Sequence, residues 1–296
     1  MRVVQLDQAF QRQSSSDAVR QSHHELFRRH AVAFRLRTNR LHVEPHAGNL
    51  SLKTVFAGAE RYEFPDRVTT VTPSQILFVK PEVTYSSSIR TAETTDSFSL
   101  FLPAPLIRSL VTSRHVDAFL GSSLSSTSLP GLPKVAKGLE RVAKALELGD
   151  ELGSDAALVE LVAASGAAIE AVDEAAERLT VTGQRTRAEL MRRVLLCREL
   201  LHAHIEPGIS LARLAEETCL SEFHLMRCFR QCFGISVAQY LVGLRMERAA
   251  ELIETGRYTV TDVARRCGYA DLSAFGRAFR RYWGRSATNH RLETAQ

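Results

Sequence analysis

Cys228 and Cys232 stand four residues apart in LMRCFRQCFG, residues 225–234, among arginines and phenylalanines. At that spacing two thiolates could be half of a metal site or a redox pair. A structural zinc site takes four ligands, and Cys228, Cys232 and His224 offer three at most, on diverging sides of one helix. A disulfide across one helical turn would need the side chains closer than a regular helix brings them. The favoured reading is small apolar packing, because a buried free cysteine behaves as a small hydrophobe; redox sensing stays open. A second cluster lies in LHVEPHAGN, where His42, Glu44 and His46 alternate and would share one face of a strand. Pro45 argues for an edge or a turn there. No further His-rich strand completes a metal triad, so no metal ligand, cofactor or catalytic residue is assigned.

The chain of 296 residues has room for two domains and can bury a core without disulfides. Its five cysteines are odd in number and all lie in the last third, and MRVVQLDQAF lacks the apolar segment of a secretion signal. A reducing cytoplasm is the expected location. The most apolar stretch, ALVELVAASGAAIEAV from 157, is interrupted by Glu160 and Glu170, short of the ~20 uninterrupted apolar residues of a membrane span. No membrane partner is expected. The net charge of +5 is uneven: from residue 183 onward there are 18 Arg and no Lys against 12 acidic residues, a net +6, which leaves −1 for residues 1–182. A basic C-terminal third points toward phosphate or acidic surfaces.

The elements that must position these groups divide the same way. Residues 41–102 carry short β-branched and aromatic runs (SLKTVFA, VTTVT, ILFVK, FSLFL) with turn formers at Pro45, Gly48, Pro65-Asp66, Pro73-Ser74 and Pro81. With no helix-period segment between them they predict a small barrel or sandwich. A helix is expected from Pro105 to Leu120, then a Ser/Gly/Pro linker over 121–134. Two amphipathic helices follow, up to about residue 180, whose apolar stripes suit either packing within the chain or a homodimer. The predicted fold class is α+β, with an N-terminal domain over 1–182 and an all-α domain over 183–296.

The C-terminal domain is written twice. Ser210 caps LARLAEETC, Cys219-Leu220 turn, and Ser221 caps EFHLMRCFRQCF, which Gly234 ends. A long helix from Val237, capped by Ser236, leads to a second copy: Thr259 or Thr261 caps VTDVARRC, Gly268-Tyr269 turn, and Asp271 caps LSAFGRAFRRYW. Second-helix positions match at an offset of fifty and scaffold-helix positions at forty-nine. Helical geometry puts Leu225, Phe229, Cys232 and Phe233 on a core face, with Cys228 at its edge, and leaves Phe223, Met226, Arg227 and Arg230 outside. In the second copy Phe275, Phe279 and Trp283 are core, and Ser273, Gly276, Arg277 and Arg280 look outward. Paired arginines on an exposed second helix suit the major groove of DNA, where arginine forks onto guanine or clasps phosphate.

Residues 187–291, and ARRCGYADLSAFGRAFRRYWGRS above all, resemble the tandem helix-turn-helix domain of the AraC/XylS transcription regulators. The resemblance implies that both second helices read successive major grooves of double-stranded DNA, that RNA polymerase is a partner, and that base or phosphate contacts fall on Phe223, Met226, Arg227 and Arg277, helped by Arg230, Ser273 and Arg280. Family members usually end in Ser-Pro followed by Tyr-Arg; here SATNHR puts Ala287 and His290 there, which leaves the start of the last helix open. Residues 41–102 resemble, loosely, the cupin-like barrels that precede this module, implying a small-molecule effector that the residues do not name; Tyr62, Phe64, Phe78 and Tyr85 serve equally as core aromatics.

The leading function is therefore a ligand-modulated regulator and not an enzyme. A DNA-repair alkyltransferase would need an activated cysteine in a separate domain, and none precedes Cys197. A metal-dependent cupin-like enzyme fused to a DNA-binding module is the alternative, with only HVEPH to support it.

Overall fold

The computed structural model describes residues 3–6, 26–47, 49–65, 67–73, 75–112, 116, 119, 126–130, 132–206 and 208–294. The chain divides into two compact units: Met1–Glu177 with Gly183–Ala188, and Arg178–Thr182 with Glu189–Gln296.

The first unit is a mixed sheet with helices on one face. Its strands are β1 (Val3–Leu6), β2 (Ala31–Ala47), β3 (Ser51–Ala57), β4 (Glu60–Phe64), β5 (Arg67–Val71), β6 (Gln75–Val79), β7 (Thr84–Phe101) and β8 (Ser126–Pro130). They pair in the order β1-β2-β7-β3-β6-β8, with β4 joined to β7 and β5 to β4. The β1–β2 pair is parallel and the others are antiparallel. Among the described residues this path is open, which corrects the expected closed barrel. The reason lies in β7: its last residues pair with β3 while Ser86–Ser88 pair with β4, so the sheet forks along one 18-residue strand. Register shifts bend β2 between Thr38 and Arg40 and between Val43 and His46. Pro45 falls inside the second shift, where its missing N–H costs no ladder bond.

Strands also begin earlier than the expected residue 41, because Ala31–Arg40 pair with β7. Part of the expected linker is a strand: Ser126–Pro130 pairs with β6. This strand is at the end of the sheet, where backbone hydrogen bonds to a neighbour suffice without an apolar pattern. The rest of that linker, 121–125 and 131, lies outside the described residues, as do Gly48, Asp66 and Ser74 among the expected turns. The helix expected over 105–120 is described as α1 (Ala104–Leu110), ended where the Val111 N–H bonds to the Ile107 carbonyl; 113–115, 117–118 and 120 lie outside the described residues.

Both expected amphipathic helices are present, α2 (Pro133–Glu147) and α3 (Glu151–Glu177). Leu139, Val142, Leu158 and Leu161 close the main core over Leu52, Ile76, Phe78 and Phe98. Gly138 lets α3 pack closely on α2, since a Cβ there would meet Leu161 Cδ1 at 3.0 Å. α3 is long and apolar enough to cross a membrane by length and composition; here its apolar side is spent on α2 and the sheet. On the other face of the sheet Val55, Tyr62, Phe64, Leu77, Val79 and Tyr85 form a second cluster.

The second unit is helical. α4 (Gln184–Ala203) leads, within this unit from Glu189, to α5 (Leu211–Glu217) and α6 (Glu222–Phe233). α7 (Val237–Glu254) precedes α8 (Val260–Arg266) and α9 (Leu272–Trp283), and α10 (Ala287–Thr294) ends the chain. The starts of α5 to α9 are each held by a side chain that accepts from an otherwise unpaired N–H. Ser210 accepts from Arg213, Ser221 from His224, and Asp271 from Ser273 and Ala274. Ser236 with Gln239, and Thr259 with Asp262, form reciprocal capping boxes, so Thr259 and not Thr261 is the cap. The α5–α6 turn places Cys219 at φ 52°, and its counterpart in the second copy is Gly268 at φ 76°. Both copies need a left-handed residue there; only the second uses the residue that adopts it without strain.

Candidate nucleic-acid interface

At 100° per residue, Phe223, Met226, Arg227 and Arg230 fall within an arc of about 100° on α6. Ser273, Gly276, Arg277 and Arg280 fall in the same arc on α9. All eight are exposed, and Leu225, Phe229, Phe275 and Phe279 opposite them are buried. Phe223 is 73% exposed, unusual for a side chain that gains by leaving water. Gly276 faces open space, with no atom within 4 Å of a Cβ built there.

Several other arginines of the unit are held by partners within it. Arg192 and Arg193 pair with Glu189, Arg213 with Glu216 and Glu217, and Arg248 with Glu251. Arg245 donates to the Ile205 carbonyl and lies over the Tyr269 ring. Among the described residues, Arg227, Arg230, Arg277 and Arg280 form no ion pair. Their charge is available to an incoming anion without a partner having to be displaced. Arg281, also exposed on α9, was not singled out from the sequence because it lies outside the shared stripe.

Two positions differ from the expected face map. Trp283 is 37% exposed instead of buried: its Nε1 donates to the Met246 carbonyl at 3.1 Å, and its ring packs beside Tyr282 and His290. Phe233 is half-buried against Phe229 and Tyr240. Both close a helix just before a left-handed glycine, Gly234 or Gly284, where the helix runs past the end of its core. The last helix starts at Ala287, with Ser286 Oγ accepting the Asn289 N–H. His290 is buried, accepts at Nδ1 from Arg285, and meets Glu254.

The cysteine pair belongs to the core. Cys228 is fully buried, not at the edge, and Cys232 Sγ lies 3.7 Å from Met191 Sδ. Burial pushes the Cys232 thiol up to about 12 and raises that of Cys228. Thiols held neutral in this way are poor nucleophiles and poor metal ligands. Cys228→Ala and Cys232→Ala should each lose about 1 kcal/mol of stability and keep full DNA affinity in a binding titration. Loss of binding with stability intact, restored by reductant or zinc, would point to a sensor instead.

In the first unit His42 and Glu44 are exposed and pair with each other at 3.3 Å. His46 turns onto the Tyr85 ring, its Nδ1 2.9 Å from the Glu44 carbonyl oxygen. The bend at Pro45 thus separates His46 from the other two candidate ligands, and no group of three or more His, Cys, Asp or Glu suited to a metal occurs among the described residues. Tyr62, Phe64, Phe78 and Tyr85 are all buried.

Residues 214–293 match the family model described as a helix-turn-helix domain. The Msm operon regulatory protein of Streptococcus mutans is 26% identical over 32% of this chain and 34% of its own length. The arabinose operon regulatory protein of Escherichia coli K12 is 33% identical over 29% of this chain and 31% of its own. Among solved structures, a DNA-binding transcriptional dual regulator from Escherichia coli K-12 is 33% identical over 36% of this chain and 93% of that one, with a TM-score of 0.33. The chain thus spans about a third of the length of these curated relatives. The C-terminal region is thus a helix-turn-helix domain similar in sequence to the matching part of the arabinose operon regulatory proteins. These relatives are operon regulatory proteins.

Proposed function

We propose that the chain is a sequence-specific transcription regulator that reads double-stranded DNA with two helix-turn-helix units, α5–α6 and α8–α9. Phe223, Met226, Arg227, Arg230, Ser273, Arg277 and Arg280 are the contacting residues. The observation that carries this reading is the repeated exposed stripe, in which Arg227, Arg230, Arg277 and Arg280 form no ion pair among the described residues. The first unit serves as the effector domain: a small molecule bound there modulates DNA affinity, and RNA polymerase and a second copy of the chain are the expected partners. The pairing of His42 with Glu44 on an exposed strand gives the metal-dependent enzyme reading no specific support.

Titrating the full chain onto its operator over increasing salt tests the DNA reading. Log affinity should fall linearly with log salt at about −0.9 per phosphate neutralised, and Arg280→Ala should flatten the slope by about one contact. An affinity indifferent to salt would remove the phosphate contacts from the proposal.

A further inference from the structure

The second helix of the first repeat, α6, is gripped by a segment that lies outside the repeat. Residues Arg178–Thr182 follow α3 directly in the chain, yet they group with the helical unit. Arg178 Nη1 donates to the Cys232 carbonyl at 3.1 Å, and Gln231 Nε2 donates to Thr180 Oγ1 at 2.9 Å. Between these two bonds Leu179 is 2% exposed, and its carbonyl accepts from the Val181 N–H. α6 ends at Gly234, whose N–H returns to the Arg230 carbonyl. The Cys232 carbonyl therefore falls in the last turn, where no helical N–H reaches it. A guanidinium placed there also meets the negative end of the helix dipole.

The second copy shows what this grip replaces. In α9 the corresponding turn is tied to α7 from inside the repeat, Tyr282 Oη donating to Glu247 Oε1 and Trp283 Nε1 to the Met246 carbonyl, both at 3.1 Å. At the matching positions of α6 stand Cys232 and Phe233. Neither offers such a hydroxyl or indole N–H, and Cys232 Sγ turns to Met191 Sδ. The polar ties on this turn come from the strap instead. The gripped turn carries Arg230 and lies one turn beyond Arg227. Reading a base edge by hydrogen bonds depends on both distance and angle, so it tolerates little displacement of the helix that carries the donors. We infer that Arg178 and Thr180 are positioning residues for DNA recognition: by holding the last turn of α6 they set the pose from which Phe223, Met226 and Arg227 read the operator. This inference rests on the reading of α6 as a DNA-reading helix. Arg178 and Thr180 are both exposed, so replacing them opens no cavity.

Titrating the full chain and its variants onto a panel of single-base operator changes, over a range of salt, tests it. Arg178→Ala should weaken the preferred operator several-fold and relax the preference at the same base position as Arg227→Ala. Its salt slope should equal that of the parent, because no phosphate contact is lost. Arg178→Lys, which keeps a charged donor, should restore much of the affinity. Thr180→Val, which removes the acceptor and keeps the shape, should act in the same direction to a smaller degree. Adding Gln231→Leu to Thr180→Val should change nothing further, since both remove one bond. A salt slope lower by about one contact in Arg178→Ala would make Arg178 a phosphate ligand and overturn the inference. Unchanged affinity and preference in both Arg178→Ala and Thr180→Val, beside an Arg227→Ala that does lose preference, would overturn it while leaving the DNA-reading role of α6 in place. An Arg227→Ala without effect would remove that role, and the positioning role with it.

Discussion

Phe279→Ala should destabilise the second unit by about 3–5 kcal/mol, the usual cost of deleting a buried phenyl ring. Phe279 is fully buried among Met246, Ile253, Val263 and Phe275, and its ring lies edge-on to His290 at 5.5 Å. It thereby joins α7, α8, α9 and α10. Against a typical domain stability of about 5–15 kcal/mol, that loss should leave α9 poorly held and abolish high-affinity DNA binding. Trp283 is the only tryptophan in the chain and sits one turn from Phe279, so its fluorescence reports unfolding of this unit directly. Phe223→Ala is the matched control. With its ring in solvent, stability should change by less than about 0.5 kcal/mol while DNA affinity falls. A Phe279→Ala protein that unfolds within 1 kcal/mol of the parent, by the same accounting, would show that the core has been misassigned.

The second expectation separates the two exposed stripes. Beside Arg227 stand Phe223 and Met226, which offer apolar contact to thymine methyl groups; beside Arg277 stand Ser273 and Gly276, with little to read a base edge. The first helix should therefore supply more of the sequence discrimination and the second more of the phosphate anchoring. Arg227→Ala should cost about 1–3 kcal/mol at the preferred site and relax the preference at one base position. Arg277→Ala should weaken good and poor sites evenly. Measuring both variants against a panel of single-base operator changes decides the matter, and the opposite pattern reverses the assignment.

How much of this could be read before folding depends on the range of the interactions involved. The second unit is built from local signals: caps at Ser210, Ser221, Ser236, Thr259 and Asp271, left-handed glycines after α6 and α9, and a helical period that sorts Phe229 from Arg227 within a few residues. Such signals act over three or four positions, so the sequence by itself determined the helices, their repeat and their exposed stripes. It could not place Cys228, Trp283 or Phe233 at the right depth, because that depends on where a neighbouring helix ends. The first unit was decided at long range. Whether β7 forks between β3 and β4, and whether a serine-rich stretch becomes β8, follows from backbone pairing between residues 23 to 55 positions apart, for which no local pattern codes. Lys53 shows the difference most directly. In SLKTVFA nothing local marks it, and only the pairing of β3 on both edges turns its side chain into the sheet interior, where Glu60 is also buried.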